Sequence, residues 1–555
     1  MTGVFRDSTK TGTTQDKTTL RCQRQTWHRN LREPTLPTTN ISGVLRPARW
    51  PFAKSLLAEL RAIPPALRAA DPTFASEWND GYFALAGHAI SVRDGFPIDE
   101  SQAPEQWWIE LHGFRWLRYI PQQFDTDIQS RTERLLAGWL RNRSSHHALA
   151  KLPSVVARRV MSWLSHSDIL LQTNSAEFYD SVISALITDV QALQLTWRQI
   201  PLPSDRLAAL TALAAAGLCL TGAHKILKEA EAGLLSELDG RRGPAVQSVV
   251  RQPDSLLDLL LDLEILRRLY GQCSQPIPSA LHEIMSPLKQ AAGSLSLGDG
   301  HLARLSTPRL ECGNRLMLAN VIRHVGLVDP GPLLSVHGGF SRLKIGETII
   351  VADIGAQLSN AHALELEVSS GAAPLLVHDG LPSAISDGRS VLIFASNSAE
   401  TALSRGLPPV LEPIHNVSLD LSDPGRQQLD ATHAGHSRRG IVHRRRLALK
   451  NNGDEIECTD ELRSLIDGPS STHLVFALRF VLHPTVEVTL VDADDRLELG
   501  LANGHRWRFS APTRKLSVER ALYRDGAKTT PTLQILVPSG STSGGIVTWR
   551  LTRVK

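Results

Sequence analysis

The chain has 555 residues, of which 42% are hydrophobic and 21% are charged, so it can bury a sizeable core and is not intrinsically disordered. Sixty basic residues against 56 acidic ones leave a formal net charge of +4, which argues against a dedicated nucleic-acid-binding protein. The mean hydropathy is −0.12, and no apolar run reaches about 18 residues, so the sequence predicts no membrane-spanning helix. Nine of the 11 tryptophans precede residue 200.

Residues 1–48 are basic and rich in threonine, and they lack the apolar centre of a secretory signal. We therefore expect a flexible tail, and the sequence leaves the location unknown, with the cytoplasm and the periplasm both open. The five cysteines are widely spaced and form no CxxC pair, which predicts reduced thiols and excludes a zinc ribbon.

Residues 49–328 carry apolar side chains at helical spacing. This spacing predicts helices at residues 104–119, 130–141, 153–172, 176–197, 206–220, 221–239, 256–270, 278–294 and 313–324. The segment 206–220 is apolar on almost every side, so we expect that helix to be buried. Sequential helices joined by short loops predict an incomplete (α/α) toroid or another helical array.

A break at Asp329-Pro330-Gly331-Pro332 ends the helical pattern, and alternation dominates residues 329–555. Strands are predicted at residues 349–352, 363–369, 374–377, 391–395, 417–421, 445–449, 474–482, 486–491, 497–501, 506–510, 533–537 and 546–551. Asn452-Gly453 and Asn503-Gly504 are strong hairpin signals. A dozen strands without intervening helices predict a large antiparallel β-sandwich after the helical domain.

Short blocks in both halves carry a family resemblance. In order along the chain they are Leu111–Arg118, Ala157–Ser167, Arg251–Pro253 with Leu256–Leu263, Val336–Phe340, Ala361–Ala363, His443–Leu447, Phe476–Pro484 and Arg506–Ser510. Together they cover about residues 80–553 and resemble a bacterial branch of the heparinase II/III-like family of polysaccharide lyases. The resemblance implies a toroid followed by a sandwich, and β-elimination of a uronate-containing acidic polysaccharide between them.

This chemistry defines the residue types that such a site needs. An Asn, Arg or His must neutralise the uronate carboxylate, and a Tyr or His must move the protons. The resemblance places Ser255 and Leu256 where family members have a Tyr-His pair, and Asn360 where they have the catalytic His, while His362 is kept. The candidate catalytic residues that follow are His362, Asn360, Arg251, Gln252, His337 and His433.

Many family members also hold a structural zinc through two His and one Asp, and this set is altered here. The metal Asp falls near His378 and the second metal His near Ala399, which has no donor atom. We therefore predict no metal ligands and no cofactor, with zinc binding possible only through a degraded ligand set. His362 is equally compatible with a histidine of the core.

Aromatic and basic residues supply the candidate substrate contacts. Sugar rings stack on aromatic faces, so Trp116 and Trp163 are candidates, although tryptophan at helical spacing also fits a core. Alternation places Arg444 and Arg446 on one strand face, as a lining for a polyanion or as a solvated face balanced by nearby glutamates.

Two functions remain open from the sequence. The first is a polysaccharide lyase of the heparinase II/III-like type. The second is a catalytically degenerate carbohydrate-binding or structural protein on the same scaffold. Both predict an acidic polysaccharide as the partner, and neither predicts an oligomeric state.

Overall fold

The structure is a computed structural model. It describes residues 60–68, 74–86, 88–91, 103–120, 126–143, 148–171, 176–239, 249–304, 314–327, 329–335, 338–355, 364–381, 392–394, 414–433, 441–464, 476–492, 496–512, 514–525, 528–539 and 545–554. The predicted tail at residues 1–48 lies outside these ranges.

The first half of the chain is helical, apart from a small hairpin. The helices of the described residues are α1 (Phe74–Asn79), α2 (Glu105–Gly113), α3 (Thr126–Arg141), α4 (Pro153–Ser165), α5 (Ser167–Leu171), α6 (Ala176–Thr196), α7 (Pro203–Cys219), α8 (His224–Asp239), α9 (Pro253–Gln272), α10 (Ser279–Leu295) and α11 (Asn314–His324). Helices α4, α7 and α9 each begin with a proline, whose fixed φ suits the first turn of a helix.

Two predicted helices are interrupted in the structure. Helix α2 ends at Gly113 because Phe114 adopts a φ of 54°, and a 3₁₀ turn at Arg115–Tyr119 follows. The predicted helix at 153–172 is divided at His166 into α4 and α5. Among the described residues, no helix is both long and apolar enough to cross a bilayer.

Tryptophan and phenylalanine side chains pack together at the centre of the helical half. Trp139 and Trp163 lie edge to face with ring centroids 5.7 Å apart, and Phe114 contacts both rings at 5.2 Å. Edge-to-face packing adds to the stabilisation from apolar burial. The tryptophan excess of the sequence is thus largely a core feature.

The second half of the chain is built of strands. The strands are β3 (Leu333–Ser335), β4 (Phe340–Ile345), β5 (Thr348–Asp353), β6 (Leu366–Ser370), β7 (Ala373–Leu376), β8 (Leu392–Phe394), β9 (Ile414–Asp423), β10 (Arg426–His433), β11 (Ile441–Lys450), β12 (Glu455–Ser464), β13 (Phe476–Val481), β14 (Glu487–Asp492), β15 (Arg496–Gly500), β16 (Arg506–Ser510), β17 (Ser517–Asp525), β18 (Lys528–Ser539) and β19 (Ile546–Val554). The hairpin of the helical half supplies β1 (Tyr82–Leu85) and β2 (His88–Ser91).

These strands form two packed layers. One layer is an eight-stranded antiparallel sheet in the order β14-β15-β16-β19-β12-β11-β10-β9. The other combines a five-stranded sheet, β3-β4-β5-β6-β7, with a four-stranded sheet, β17-β18-β13-β8, and a bridge between Leu376 and Leu482 connects them. Apolar side chains from both layers form one core, as in other sandwiches.

The helical half covers the outer face of the five-stranded sheet. Phe340 and Val351 belong to the helical core, and the backbone N–H of Gly298 donates to Ser369 Oγ at 2.9 Å. Every residue of β6 is therefore buried, although its sequence alternates apolar and polar residues. The molecule thus has three layers, with the five-stranded sheet between the helices and the eight-stranded sheet.

Candidate functional site at the junction of the two halves

Arg251 joins the helical half to the sandwich. It precedes α9, and its guanidinium forms a bidentate pair with Asp353 at the end of β5, with Nη1–Oδ1 at 2.7 Å and Nη2–Oδ2 at 2.9 Å. Nη1 also donates to the carbonyl oxygen of Gly339 at 2.9 Å. Asp353 is buried, and although burial of Arg251 lowers its pKa, Asp353 and Glu365 together raise the pKa above its ordinary value. This geometry makes Arg251 a staple between the two halves.

Two glycines leave space for this guanidinium. Gly339 has a φ of +71°, and a Cβ built there would lie 2.9 Å from Arg251 Nη1. A Cβ on Gly355 would lie 2.5 Å from the same atom. Side chains at either position would displace Arg251, so this close approach requires glycine.

Positions 255 and 256, which follow Arg251, carry neither a phenol nor an imidazole. Gln252 caps α9, and its Oε1 accepts a hydrogen bond from Ser255 Oγ at 3.2 Å. Leu256 has no exposed surface. The two positions where the resemblance implies a Tyr-His pair are therefore occupied by a hydroxyl bonded to its neighbour and a core leucine.

The network continues from Asp353 into the sandwich. The backbone N–H of Leu364 donates to the Asp353 carbonyl at 3.0 Å, and the Asp353 N–H donates to the Glu365 carbonyl at 2.9 Å. On the other side, Arg445 Nη1 donates to the carbonyl oxygen of Leu364. Leu364 follows the predicted catalytic positions closely, but Asn360, His362 and His337 themselves lie outside the described residues.

Arg445 belongs to a buried ionic cluster between the sheets. Its Nε lies 2.6 Å from Asp460 Oδ1, which is also 2.7 Å from His443 Nε2, while Trp549 Nε1 donates to Asp460 Oδ2 at 3.0 Å. Burial alone would raise the pKa of Asp460, but Arg445, together with His443, holds it well below its usual range. Burial lowers the pKa of His443. The cluster therefore anchors Leu364 with a carboxylate that stays ionised.

His433, another candidate, lies opposite His443 in the β10–β11 register. Because residues paired across an antiparallel ladder share a face, both imidazoles lie on the inner face of the eight-stranded sheet. His433 is half-buried. The structure thus brings His433 to the same strand ends as the Arg445 cluster.

A second ionic cluster lies further along α9. Asp258 and Asp262 accept ion pairs from three arginines of other segments: Arg68 at 2.8 Å and Arg158 at 2.7 Å reach Asp262, and Arg115 reaches Asp258. Burial would raise the pKa of Asp258, but Arg115, followed by Arg158 and Arg68, holds it well below its usual range. Asp258 is seven residues after Arg251, or about 10 Å along the helix axis.

The sequence did not single out this arginine cluster, although a signal was present. Arg115 and Arg158 lie in two of the blocks that carry the family resemblance, and both aspartates lie in a third. Those blocks meet in space because α9 packs beside the segments that supply the arginines.

A carboxyl group of β6 is a further feature of the junction. The Glu367 carboxyl accepts the backbone N–H of Arg304, whose Nη1 donates to the carbonyl of Arg524 at 2.7 Å. Burial raises the pKa of Glu367 to about 7. This group therefore titrates near neutral pH at the contact between the two halves.

The candidate stacking residues lie in the core. Trp116 is completely buried, and Trp163 is 1% exposed. Neither ring presents a face to solvent, so both tryptophans are core residues, which is the alternative to a sugar-stacking role. A sugar ring would have to stack on a different aromatic side chain.

The strand-borne arginines face away from the junction. Arg444 and Arg446 lie on the outer face of the eight-stranded sheet, whereas Arg445 points inward, as alternation predicts. Arg444 Nε donates to Asp430 Oδ1 at 2.8 Å, and Glu461 lies opposite Arg444 in the register. Arg444 is therefore paired with a carboxylate of the same sheet face.

The described residues contain no group of three or more His, Cys, Asp or Glu side chains placed to hold a metal ion. His378 is buried beside Asp379, and Ala399 lies outside the described ranges. The altered zinc set stays a prediction.

Known proteins resemble this chain in sequence and in fold. Residues 332–550 match the family described as "Heparinase II/III-like, C-terminal". FtsZ-localized protein C of Caulobacter vibrioides (strain NA1000 / CB15N) is 26% identical over 495 residues, which cover 81% of this chain and 82% of that protein.

Solved structures share the fold across both halves. A crystal structure of heparinase III superposes with a TM-score of 0.60 at 11% identity, over 84% of this chain and 80% of that one. The heparan sulfate lyase HepC from Pedobacter heparinus gives a TM-score of 0.53 at 12% identity, over 88% and 84%. These structural matches confirm the predicted toroid followed by a β-sandwich, and residues 332–550 form a heparinase II/III-like C-terminal domain.

Proposed function

We propose that the protein binds an acidic polysaccharide at the junction of the helical half and the sandwich, without cleaving it by β-elimination. The main support for this proposal is the burial and hydrogen bonding of the residues around the start of α9. Leu256 is a core residue, and the Ser255 hydroxyl is bonded to Gln252. β-Elimination needs a group there or nearby that can exchange a proton with the sugar.

The position of Arg251 supports the same proposal. A guanidinium that neutralises a uronate carboxylate must direct its N–H groups at the sugar. Both Nη atoms of Arg251 instead contact Asp353. The fold of a lyase is therefore retained while its positively charged candidate serves to hold the two halves together.

The arginine cluster on α9 supports the choice of an acidic ligand. Arg68, Arg115 and Arg158 surround two aspartates, with side chains 12–17% exposed. Arg115 also pairs with Glu110 at 3.2 Å, so three carboxylates balance these three guanidiniums, and Arg118, whose charge also acts on Asp258, adds one further positive charge. Partial burial strengthens the attraction of such a cluster for sulfate or carboxylate groups.

The test measures binding and cleavage together. The full-length protein is incubated with alginate, heparan sulfate, hyaluronan and bacterial exopolysaccharides, and ultraviolet absorbance monitors unsaturated uronate products. We expect binding by surface plasmon resonance to at least one polymer, with no rise in absorbance. A rise in absorbance would establish the lyase instead, and the absence of binding to every acidic polymer would contradict both functions.

A matched pair of variants localises the binding. Arg158→Gln removes one guanidinium of the cluster, whereas Arg134→Gln removes an exposed guanidinium of α3 in the same half. We expect about a fivefold or greater loss of affinity from the first and less than a twofold change from the second. Equal losses would indicate non-specific attraction to the whole surface.

The relative from Caulobacter supports a second candidate function, namely co-localisation with FtsZ. The observation is similarity over four-fifths of both chains, at 26% identity. A fluorescent fusion of this protein should then coincide with FtsZ in dividing cells. A uniform distribution of a fusion that still binds glycan would contradict this second function and leave the first intact.

A further inference from the structure

A cavity of about 630 Å³ is lined by three helices and by Pro330 of the segment that leads into the sandwich. The lining residues that matter are Glu264 and Arg267 of α9, His282 and Lys289 of α10, and His324 at the end of α11. Arg267 is 16 residues after Arg251, or about 24 Å along α9, so the cavity is separate from the junction. Its size suits a small organic molecule.

A buried carboxylate of this cavity fixes two guanidiniums, of which Arg267 lines the cavity and Arg268 lies beside it. Glu264 is 2% exposed, and it accepts Arg267 Nε at 2.7 Å, Arg267 Nη2 at 2.8 Å and Arg268 Nε at 2.7 Å. Arg268 Nη2 also donates to the carbonyl of His324 at 3.2 Å. The guanidiniums are thus held in place before any ligand arrives, which reduces the entropic cost of binding.

The charge at the cavity is positive. Among the lining residues, Arg267 and Lys289 contribute two positive charges against the single negative charge of Glu264, and Arg268, which pairs with Glu264 from outside the lining, adds a third positive charge nearby. Among the described residues, Lys289 has no carboxylate partner. The positive surroundings extend to His324, where burial, then Arg268 and Arg323, lower the pKa of the imidazole.

Polar side chains of α10 add hydrogen-bond donors on one side. His282, Ser286 and Lys289 recur at four- and three-residue spacing on α10, so they share the helix face that lines the cavity. Gln290 also lines it. A fixed guanidinium, an ammonium group and further hydrogen-bond donors around one space match the needs of an anion with several oxygen atoms.

We propose that this cavity binds a small organic phosphate. Phosphate accepts several charge-assisted hydrogen bonds at once, and it carries more charge per volume than a carboxylate. The cavity leaves room for an organic group beside the phosphate, with Met285, Val325 and Pro330 as its apolar contacts. This site is independent of polysaccharide binding at the junction, because no lining residue belongs to that network.

Isothermal titration of the full-length protein with inorganic pyrophosphate tests the proposal. We expect saturable one-to-one binding, weakened about fivefold or more in Lys289→Gln and in Arg267→Gln. The matched control is Lys225→Gln, which removes an exposed lysine of α8 in the same half and should change the affinity less than about twofold.

The results that would overturn the proposal are equally specific. Absence of binding by the wild-type protein up to about 10 mM pyrophosphate would exclude a phosphate site of useful affinity. An equal loss in Lys225→Gln and Lys289→Gln would show attraction to the surface rather than to this cavity. Citrate binding as tightly as pyrophosphate would contradict the choice of phosphate. The thermal unfolding temperature of each variant shows whether a loss of binding comes from a folding defect. Such a defect is a greater risk in Arg267→Gln, which breaks the pair with Glu264, than in Lys289→Gln.

Discussion

Removal of the Arg251 guanidinium should destabilise the protein more than any exposed substitution. In Arg251→Met the aliphatic stem is retained, while the Asp353 carboxylate, only 1% exposed, loses its bidentate partner and keeps the N–H of Gly355 at 2.9 Å. Removing one partner of a buried pair costs about 3–5 kcal/mol, and the 23% exposure of Arg251 favours the lower end, about 3 kcal/mol.

A double-mutant cycle measures how much of that loss comes from the pair. Asp353→Asn keeps an oxygen that can accept the Gly355 N–H but removes the charge. The free energy of unfolding in urea should therefore fall by less in Arg251→Met/Asp353→Asn than the two single losses combined, with a coupling of about 2 kcal/mol. A loss below about 1 kcal/mol in Arg251→Met would contradict the stabilising role of the Arg251–Asp353 pair. So would a double-variant loss equal to the sum of the two single losses.

Three further predictions use the same denaturation assay. Burial raises the pKa of Glu367 from 4.5 to about 7, so the folded state binds this proton more tightly than the unfolded state does. Stability should fall by about 3 kcal/mol as the pH rises from 4.5 to 7, and Glu367→Gln should flatten this slope; an unchanged slope would exclude Glu367 as its source. Arg445→Gln should cost about 3–5 kcal/mol because it leaves the buried Asp460 carboxylate without its guanidinium partner. Arg444→Gln, at the half-buried neighbour on the outer face, should cost below about 1 kcal/mol, and similar costs for both variants would contradict the assigned faces. Trp163→Ala should cost about 3–5 kcal/mol through cavity formation and leave polysaccharide affinity unchanged in the folded protein; a selective loss of affinity would restore the stacking role.

The sequence predicted elements where one periodicity dominates. The helices at 176–197 and 206–220 were found within a few residues because their apolar spacing is regular and long. Strand β12, with the sequence EIECTDELRS, and β17, with SVERALYRD, were not predicted. Both are rich in charged residues, and their partners in the sheet, rather than local preference, make them strands.

The contacts of the site were less predictable than its location. The resemblance named Arg251, but its partner Asp353 is 102 residues away, and nothing in the local sequence links them. Alternation correctly separated Arg445 from its neighbours, yet it could not tell which face of β11 is inside. That depends on the second sheet and on Asp460, whose carboxylate makes a buried arginine tolerable.

The same burial limits how the Tyr-His pair that the resemblance implies could be introduced. Tyr at Ser255 and His at Leu256 would supply those residue types, but Leu256 has no exposed surface, so an imidazole there would replace apolar packing with a polar group lacking water. At the start of α9, Leu256 is thus a core residue, and the neighbouring Arg251 is paired with Asp353. This arrangement fixes the relative position of the two halves, which a binding cleft requires, while proton transfer from positions 255 and 256 would need the start of α9 to be rebuilt.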